Sequence, residues 1–241
     1  MGFYEELSKY YDVIFPAGEE QICFLKEVLG IPPKAVLDIA CGTGGYSLEL
    51  AKLGYSVTAA DLDAEMLRRL SDKVREEGLP IRLIQANMLD LESSLSDKYN
   101  LAFCIGNSIV HLDNLSQIKD FLVSVKKLLH NDGGLVIQII NFDRILLRDI
   151  RNLPAIEDKK LGLTFERNYQ YDRQKNIIYF KTKLSVDNAV YENEIPLYPL
   201  LQDELVDAVM SAGFKKIKLF GDFSGNEFDK YNSFMLVLWA R

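Results

Sequence analysis

The segment Val36 to Leu50, VLDIACGTGGYSLEL, restricts the fold of this chain more than any other. A short apolar, β-rich run ends in Gly42, Gly44 and Gly45 and passes directly into residues with a helical period. Glycine lets the backbone turn sharply and approach a ligand, and a helix that starts there presents unpaired N–H groups to something polar or anionic. A strand that feeds a helix in this way is half of a βαβ unit, the connection that parallel strands require. The chain is therefore expected to be an α/β protein with its chemistry at the end of this first strand.

The remaining pattern repeats the theme. Strands are expected at Lys34 to Ala40, Ser56 to Ala60, Ile81 to Ala86, Leu101 to Ile105 and Leu135 to Ile140, the last after the turn Asn131-Asp132-Gly133-Gly134. Helices are expected from Gly45 to Leu53, from a cap at Asp63 to a stop at Gly78, and from Ser116 to Leu129. Beyond residue 141 the rhythm changes. Leu163 to Asp172, Ile177 to Val186 and Val190 to Tyr198 are strand-like and separated by turn formers, Asp187-Asn188 among them, which predicts an antiparallel meander. A helix from Leu200 to Ser211 and two strands, Lys215 to Phe220 and Ser233 to Ala240, complete the chain. The expected architecture is a Rossmann-like, seven-stranded, mostly parallel sheet with helices on both faces. Residues 1–143 and 199–241 form its core, and 144–198 are an inserted segment suited to a substrate lid.

Composition narrows the setting. In 241 residues, 48% apolar and 26% charged content suits one ordinary globular core. Runs such as Gly134 to Ile140 fall short of the roughly 18 apolar residues of a membrane span, and Met1 to Phe15 lacks the pattern of a secretion signal. Cys23, Cys41 and Cys104 have no C-x-x-C spacing and no His nearby in sequence, so reduced thiols, no metal and a cytoplasmic setting are expected. A net charge of −7 opposes nucleic-acid binding and favours a small molecule or a protein as partner. No heptad run indicates an oligomeric state.

Asp61 directly follows the second strand, which places it beside the glycine loop in a doubly wound sheet. A carboxylate there accepts both hydroxyl protons of an adenosine ribose, and Asp63 is the better placed of the two to cap the following helix.

With Asp38-Ile39-Ala40-Cys41-Gly42-Thr43-Gly44 as an acidic residue ahead of a C/G-x-G-x-G loop, the chain resembles the class I S-adenosylmethionine-dependent methyltransferases. The resemblance implies that Ala40, Gly42 and Gly44 hold the methionine part of the cofactor, and that Asp38 orients the loop or reaches its amino group. It implies a ribose contact at Asp61, apolar adenosine contacts from Leu62 and Met66, and a further cofactor contact at Ile105. It also places Asn87-Met88 at the adenine edge, where the family usually carries an acidic residue. The segment Tyr10-Tyr11-Asp12 is similar to one that folds over the cofactor and sets a tyrosine hydroxyl, here Tyr11, near its carboxylate.

The stretch Gly106-Asn107-Ser108-Ile109-Val110-His111-Leu112 resembles glycine N-methyltransferases and their relatives, which implies that Asn107 and His111 face the acceptor. Ile140 stands where that group carries an Arg for the glycine carboxylate, so glycine is not the expected acceptor. His111 is expected to take the acceptor's proton or orient it, and Asn107 to position it. His130 ends a helix and is given no role. Two other classes share the glycine loop: a dinucleotide-dependent oxidoreductase, whose third glycine would fall on Ser47, and a non-catalytic cofactor-binding module.

Overall fold

The computed structural model describes residues 3–187 and 189–241. Met1, Gly2 and Asn188, the last in the expected turn after Val186, lie outside the described residues. Two helices, α1 (Phe3–Ile14) and α2 (Glu19–Leu29), precede the first strand, and the sequence expectations include neither. The apolar residues Leu7 and Ile14 of α1 pack on Leu163, Phe165 and Leu184, more than 140 residues away in sequence. That distant contact, rather than local propensity, holds the helix.

The core then unfolds in order: β1 (Ala35–Ile39), α3 (Gly45–Lys52), β2 (Ser56–Asp61), α4 (Ala64–Glu77), β3 (Ile81–Gln85), a single turn α5 (Leu91–Ser94), β4 (Tyr99–Cys104), α6 (Leu115–Leu128) and β5 (Leu129–Ile140). A short α7 (Phe142–Leu147) leads to the inserted strands β6 (Asn152–Asp158), β7 (Leu163–Asp172), β8 (Ile177–Val186) and β9 (Ala189–Leu197). After them, α8 (Gln202–Ser211), β10 (Ile217–Phe220) and β11 (Met235–Ala240) finish the chain.

The seven-stranded sheet has the order β10-β11-β5-β4-β1-β2-β3. Strands β1 to β5 run parallel, and β11 runs antiparallel to both β5 and β10. Central positions such as Val36, Leu37, Ala102, Phe103, Val136 and Ile137 are fully buried, as expected for a parallel sheet covered on both faces. On one face lie Phe121 and Val125 of α6 and Leu205 of α8, and on the other Leu25 of α2 and Leu50 of α3. Strand order reverses between β1 and β4, and ligands of open α/β sheets bind in the crevice outside such a reversal.

Local signals that the sequence carries are realised at α4. Asp63 Oδ1 accepts from the Glu65 and Met66 N–H groups at 2.8 and 3.0 Å, and Gly78 ends the helix in the left-handed region at φ +64°. The expected turn 131–134 is instead absorbed into β5 as an irregularity: Tyr99 pairs with Leu129, but Leu101 pairs with Gly134. A Cβ on Gly133 would sit 2.9 Å from the Tyr99 carbonyl oxygen, so the close approach there depends on glycine.

The insert forms its own antiparallel sheet, β6-β7-β8-β9, with one strand more than the three expected. The additional strand, β6, contains Pro154, which cannot donate to a ladder, and it occupies the sheet edge. Pairing sets Thr182 directly opposite both Arg167 and Asn193, and Phe180 opposite Ile195, on one face of this sheet. Among the described residues no helix is long and apolar enough to cross a membrane.

Candidate active site

A cavity of about 880 Å³ lies outside the carboxyl ends of the central strands, under the inserted sheet. Its floor is the glycine loop after β1, the end of β2 and the segment after β4; Phe165, Phe180 and Thr182 of the insert form the opposite wall. Helix α1 closes one side. The Tyr11 ring lies so close to Gly42 that a Cβ there would come within 3.0 Å of it, and Gly42 is at φ +55°. Beside it, Asp12 Oδ1 accepts from the Thr43 hydroxyl at 2.6 Å. Lys73 of α4 donates to Asp12 Oδ2 at 2.6 Å and to the Thr43 carbonyl at 3.1 Å.

Two carboxylates mark the loop. Asp38 is 2% exposed and accepts a 2.7 Å hydrogen bond from the Ser47 hydroxyl. Burial pushes its pKa up to about 7; the Ser47 hydrogen bond opposes this and the nearby Asp61 charge adds to it. Asp61 Oδ2 accepts from the Gly42 N–H at 2.7 Å and Oδ1 from the Asp63 N–H at 2.9 Å. Burial raises the Asp61 pKa, and these backbone donors pull the other way. An ionised carboxylate has about four acceptor sites, so Asp61 retains lone pairs for a ligand.

Most of the residues singled out from sequence meet in this one cavity. Tyr11, Asp38, Ala40, Gly42, Asp61, Leu62, Met66, Asn87, Met88, Ile105 and His111 all line it. Leu62 is 63% exposed, an apolar side chain standing open on the cavity wall, whereas Met66 is buried. Asn87 Oδ1 accepts from the Leu89 N–H at 3.0 Å, which leaves its amide N–H groups for the cavity. His111 ends a short 3₁₀ turn, Ile109–His111, and the protein around it lowers its pKa by burial, so the imidazole is neutral at pH 7.

Two residues sit elsewhere. Gly44 adopts φ +79° as the cap just before α3, but a Cβ on it would meet Leu70 Cδ1 at 2.2 Å, so it faces α4 and not the cavity. The glycine spacing alone does not distinguish a glycine that faces a ligand from one that faces a neighbouring helix. Gly44→Ala is expected to destabilise the fold by about 1–3 kcal/mol, read as a fall in Tm, from left-handed backbone strain together with overpacking. Asn107, at φ +68°, is turned toward β5: its Oδ1 accepts from the Ile140 N–H at 2.9 Å and its N–H donates to the Gln138 carbonyl at 3.2 Å. It shapes the turn that carries His111 and lies outside the cavity wall. Ile140 is buried and outside the wall as well.

Sequence reasoning did not single out Gln138, Thr182 or Asn193, all of which line the cavity. Gln138 is 7% exposed, and its Oε1 accepts from the Gly106 N–H at 2.8 Å. It is the one polar side chain in the apolar run Leu135 to Ile140, a signal that is present in the sequence.

The family described as Methyltransferase domain matches residues 36–133. A putative methyltransferase of Geobacillus sp. is 33% identical over 197 residues, 79% of this chain and 78% of that protein. The chain belongs to the class I S-adenosylmethionine-dependent methyltransferases. A glycine/sarcosine N-methyltransferase of Halorhodospira halochloris is 26% identical over 235 residues, 98% of this chain and 85% of that protein. The solved structure of an S-adenosylmethionine-dependent methyltransferase from Clostridium acetobutylicum superposes with TM-score 0.83 at 16% identity, covering 99% of this chain and 98% of that one.

The site of this methyltransferase fits its cofactor on its own chemistry. Asp38 is a buried carboxylate with a single hydroxyl partner, an arrangement that an ammonium group completes. Asp61 offers its remaining lone pairs at the end of β2, and the open Leu62 side chain gives an apolar base a surface to cover.

Proposed function

We propose that this enzyme methylates a small-molecule acceptor seated between His111 and the inserted sheet. The observation that carries the reading is the continuity of a single cavity from Asp61 and Gly42 to Phe165, Thr182 and Asn193. The small-molecule class is supported by the glycine/sarcosine N-methyltransferases among the relatives. The absence of Lys and Arg from the described wall also argues against a nucleic-acid substrate.

In this reading Asp61 accepts the ribose hydroxyls, Asp38 the amino group, and the backbone of Ala40 and Gly42 borders the amino-acid tail. Asn87 and Met88 take the adenine edge between Leu62, Met66 and Ile105, and Tyr11 closes over the loop. S-adenosylmethionine supplies a methyl group on a cationic sulfur, whose departure leaves a neutral thioether. The protein's contribution is chiefly alignment, which recovers on the order of 7–11 kcal/mol when reactants are well oriented. His111, neutral in its buried setting, removes or holds the acceptor's proton, and Asn107 positions the turn that presents it. Residues 144–198 act as the lid that selects the acceptor. Free cysteines at 23, 41 and 104 support a reducing, cytoplasmic setting.

Asp38 gives the reading a pH signature. Its carboxyl is largely neutral below pH 7, so binding a cationic amino group there must release a proton. Affinity for S-adenosylhomocysteine is expected to fall about tenfold per pH unit below 7 and to level off above it, with the slope lost in Asp38→Asn. Calorimetric titration between pH 5.5 and 8 measures this.

Thermal stabilisation separates the methyltransferase from a dinucleotide enzyme. At 100 times its Kd, S-adenosylhomocysteine is expected to add about 2.7 kcal/mol of stability. NAD is expected to add none, because Ser47, in the place of the third glycine, is buried and bonded to Asp38. Stabilisation by NAD alone would reverse the assignment.

A further inference from the structure

The cavity as a whole has an unusual charge balance. Among the described residues, its only charged side chains are Asp12, Asp38, Asp61 and Asp63, with no Lys or Arg. None of the four serves the acceptor. Asp12 is bound to Thr43 and Lys73, Asp63 caps α4, and Asp38 and Asp61 stand at the glycine loop. An acceptor bearing a carboxylate or phosphate would add a further negative charge, beside the cofactor's own carboxylate, to a wall that holds carboxylates and, among the described residues, no Lys or Arg.

What the acceptor end offers instead is apolar surface with a small neutral polar group. Phe165, Phe180 and Ile195 supply the surface. Between them Thr182 is 5% exposed, and its hydroxyl has no hydrogen-bond partner among the described residues. Asn193 is its cross-strand partner on the same face and also lines the cavity. A buried hydroxyl without a partner is costly, and a ligand group that bonds it removes that cost. Hydroxyl and amide together suit a ligand hydroxyl, carbonyl or amide, each of which both side chains can meet without charge.

Resting on the function proposed above, we infer that the acceptor carries no carboxylate or phosphate. It is a small molecule with an apolar or aromatic body against Phe165, Phe180 and Ile195 and an uncharged hydrogen-bonding group held by Thr182 and Asn193. It thus differs from glycine and sarcosine, both carboxylates. Arg167, opposite Thr182 on β7, is a cation on the same face of this sheet. It lies outside the cavity wall; its Nη2 donates to the Pro154 carbonyl at 2.8 Å, while its buried Nε has no hydrogen-bond partner among the described residues. Arg167 is therefore the residue that an anionic acceptor would meet.

The test uses the full chain, S-adenosylmethionine with a deuterated methyl group, and three probes: a bacterial small-molecule extract, glycine and sarcosine. Mass spectrometry identifies the labelled product. The expected product comes from the extract and has neither carboxylate nor phosphate. Thr182→Val and Asn193→Ala are expected to raise the KM for its precursor about tenfold, with S-adenosylhomocysteine affinity unchanged, which shows that both variants are folded. Arg167→Met is expected to leave turnover unchanged. A labelled carboxylate or phosphate, or methylation of glycine or sarcosine, overturns the inference, most directly if Arg167→Met abolishes it. No labelled product despite normal S-adenosylhomocysteine binding overturns the small-molecule reading and this inference with it; no S-adenosylhomocysteine binding overturns the cofactor assignment itself.

Discussion

Asp61→Ala is expected to weaken S-adenosylhomocysteine binding by at least about 10²-fold. Two ribose hydroxyls donating to one carboxylate are each worth about 1.5–3 kcal/mol, and every 1.4 kcal/mol is about tenfold in affinity. The same substitution removes the acceptor for the Gly42 and Asp63 N–H groups, so the glycine loop loses a tether as well as the ligand a partner. Asp61→Asn separates these effects. It keeps one acceptor oxygen but turns an NH₂ group toward a second donor, and is expected to fall between the native protein and the alanine variant. Calorimetry gives the affinities, and the Tm of the unliganded variants reports the loss of the tether. A change below about threefold in Asp61→Ala would remove this residue from the cofactor site.

His111→Ala is expected to lower kcat by about 10²- to 10⁴-fold, the usual contribution of one positioned acid or base, with little change in cofactor affinity. Because burial lowers the His111 pKa, the native enzyme should hold its activity down to a pH below the ordinary imidazole value and lose it only as the ring takes up a proton. The acid limb of the kcat profile should therefore lie below pH 6.5 and disappear in the variant. Native turnover by His111→Ala across pH, measured on the identified acceptor, would remove the residue from the proton's path.

The cofactor half of the site is legible in sequence because its signals are local. A strand, a glycine loop, a helix cap at Asp63 and an acidic residue after the second strand are each fixed by neighbours a few positions away. Chain topology then brings them together at the reversal between β1 and β4. The acceptor half is less legible. Thr182 and Asn193 become a pair only through the β8–β9 register, and they face the cavity only because the insert folds back over β1 and β4. Helix α1 escapes notice for a related reason, since Leu7 and Ile14 find their partners in β7 and β8. Gly44 and Asn107 carry the right residue types, but tertiary packing turns one toward Leu70 and ties the other to β5. Gln138 carries a legible signal: a lone amide inside a buried strand needs a partner, and its partner is the turn that leads to His111.

A crystal structure of the complex with S-adenosylhomocysteine tests the account most directly. Both ribose hydroxyls are expected within hydrogen-bond distance of the Asp61 carboxylate, the amino group beside Asp38, and the sulfur turned toward His111 and the inserted sheet. Adenosine bound away from the ends of β1 and β2, with Asp61 untouched, would contradict it.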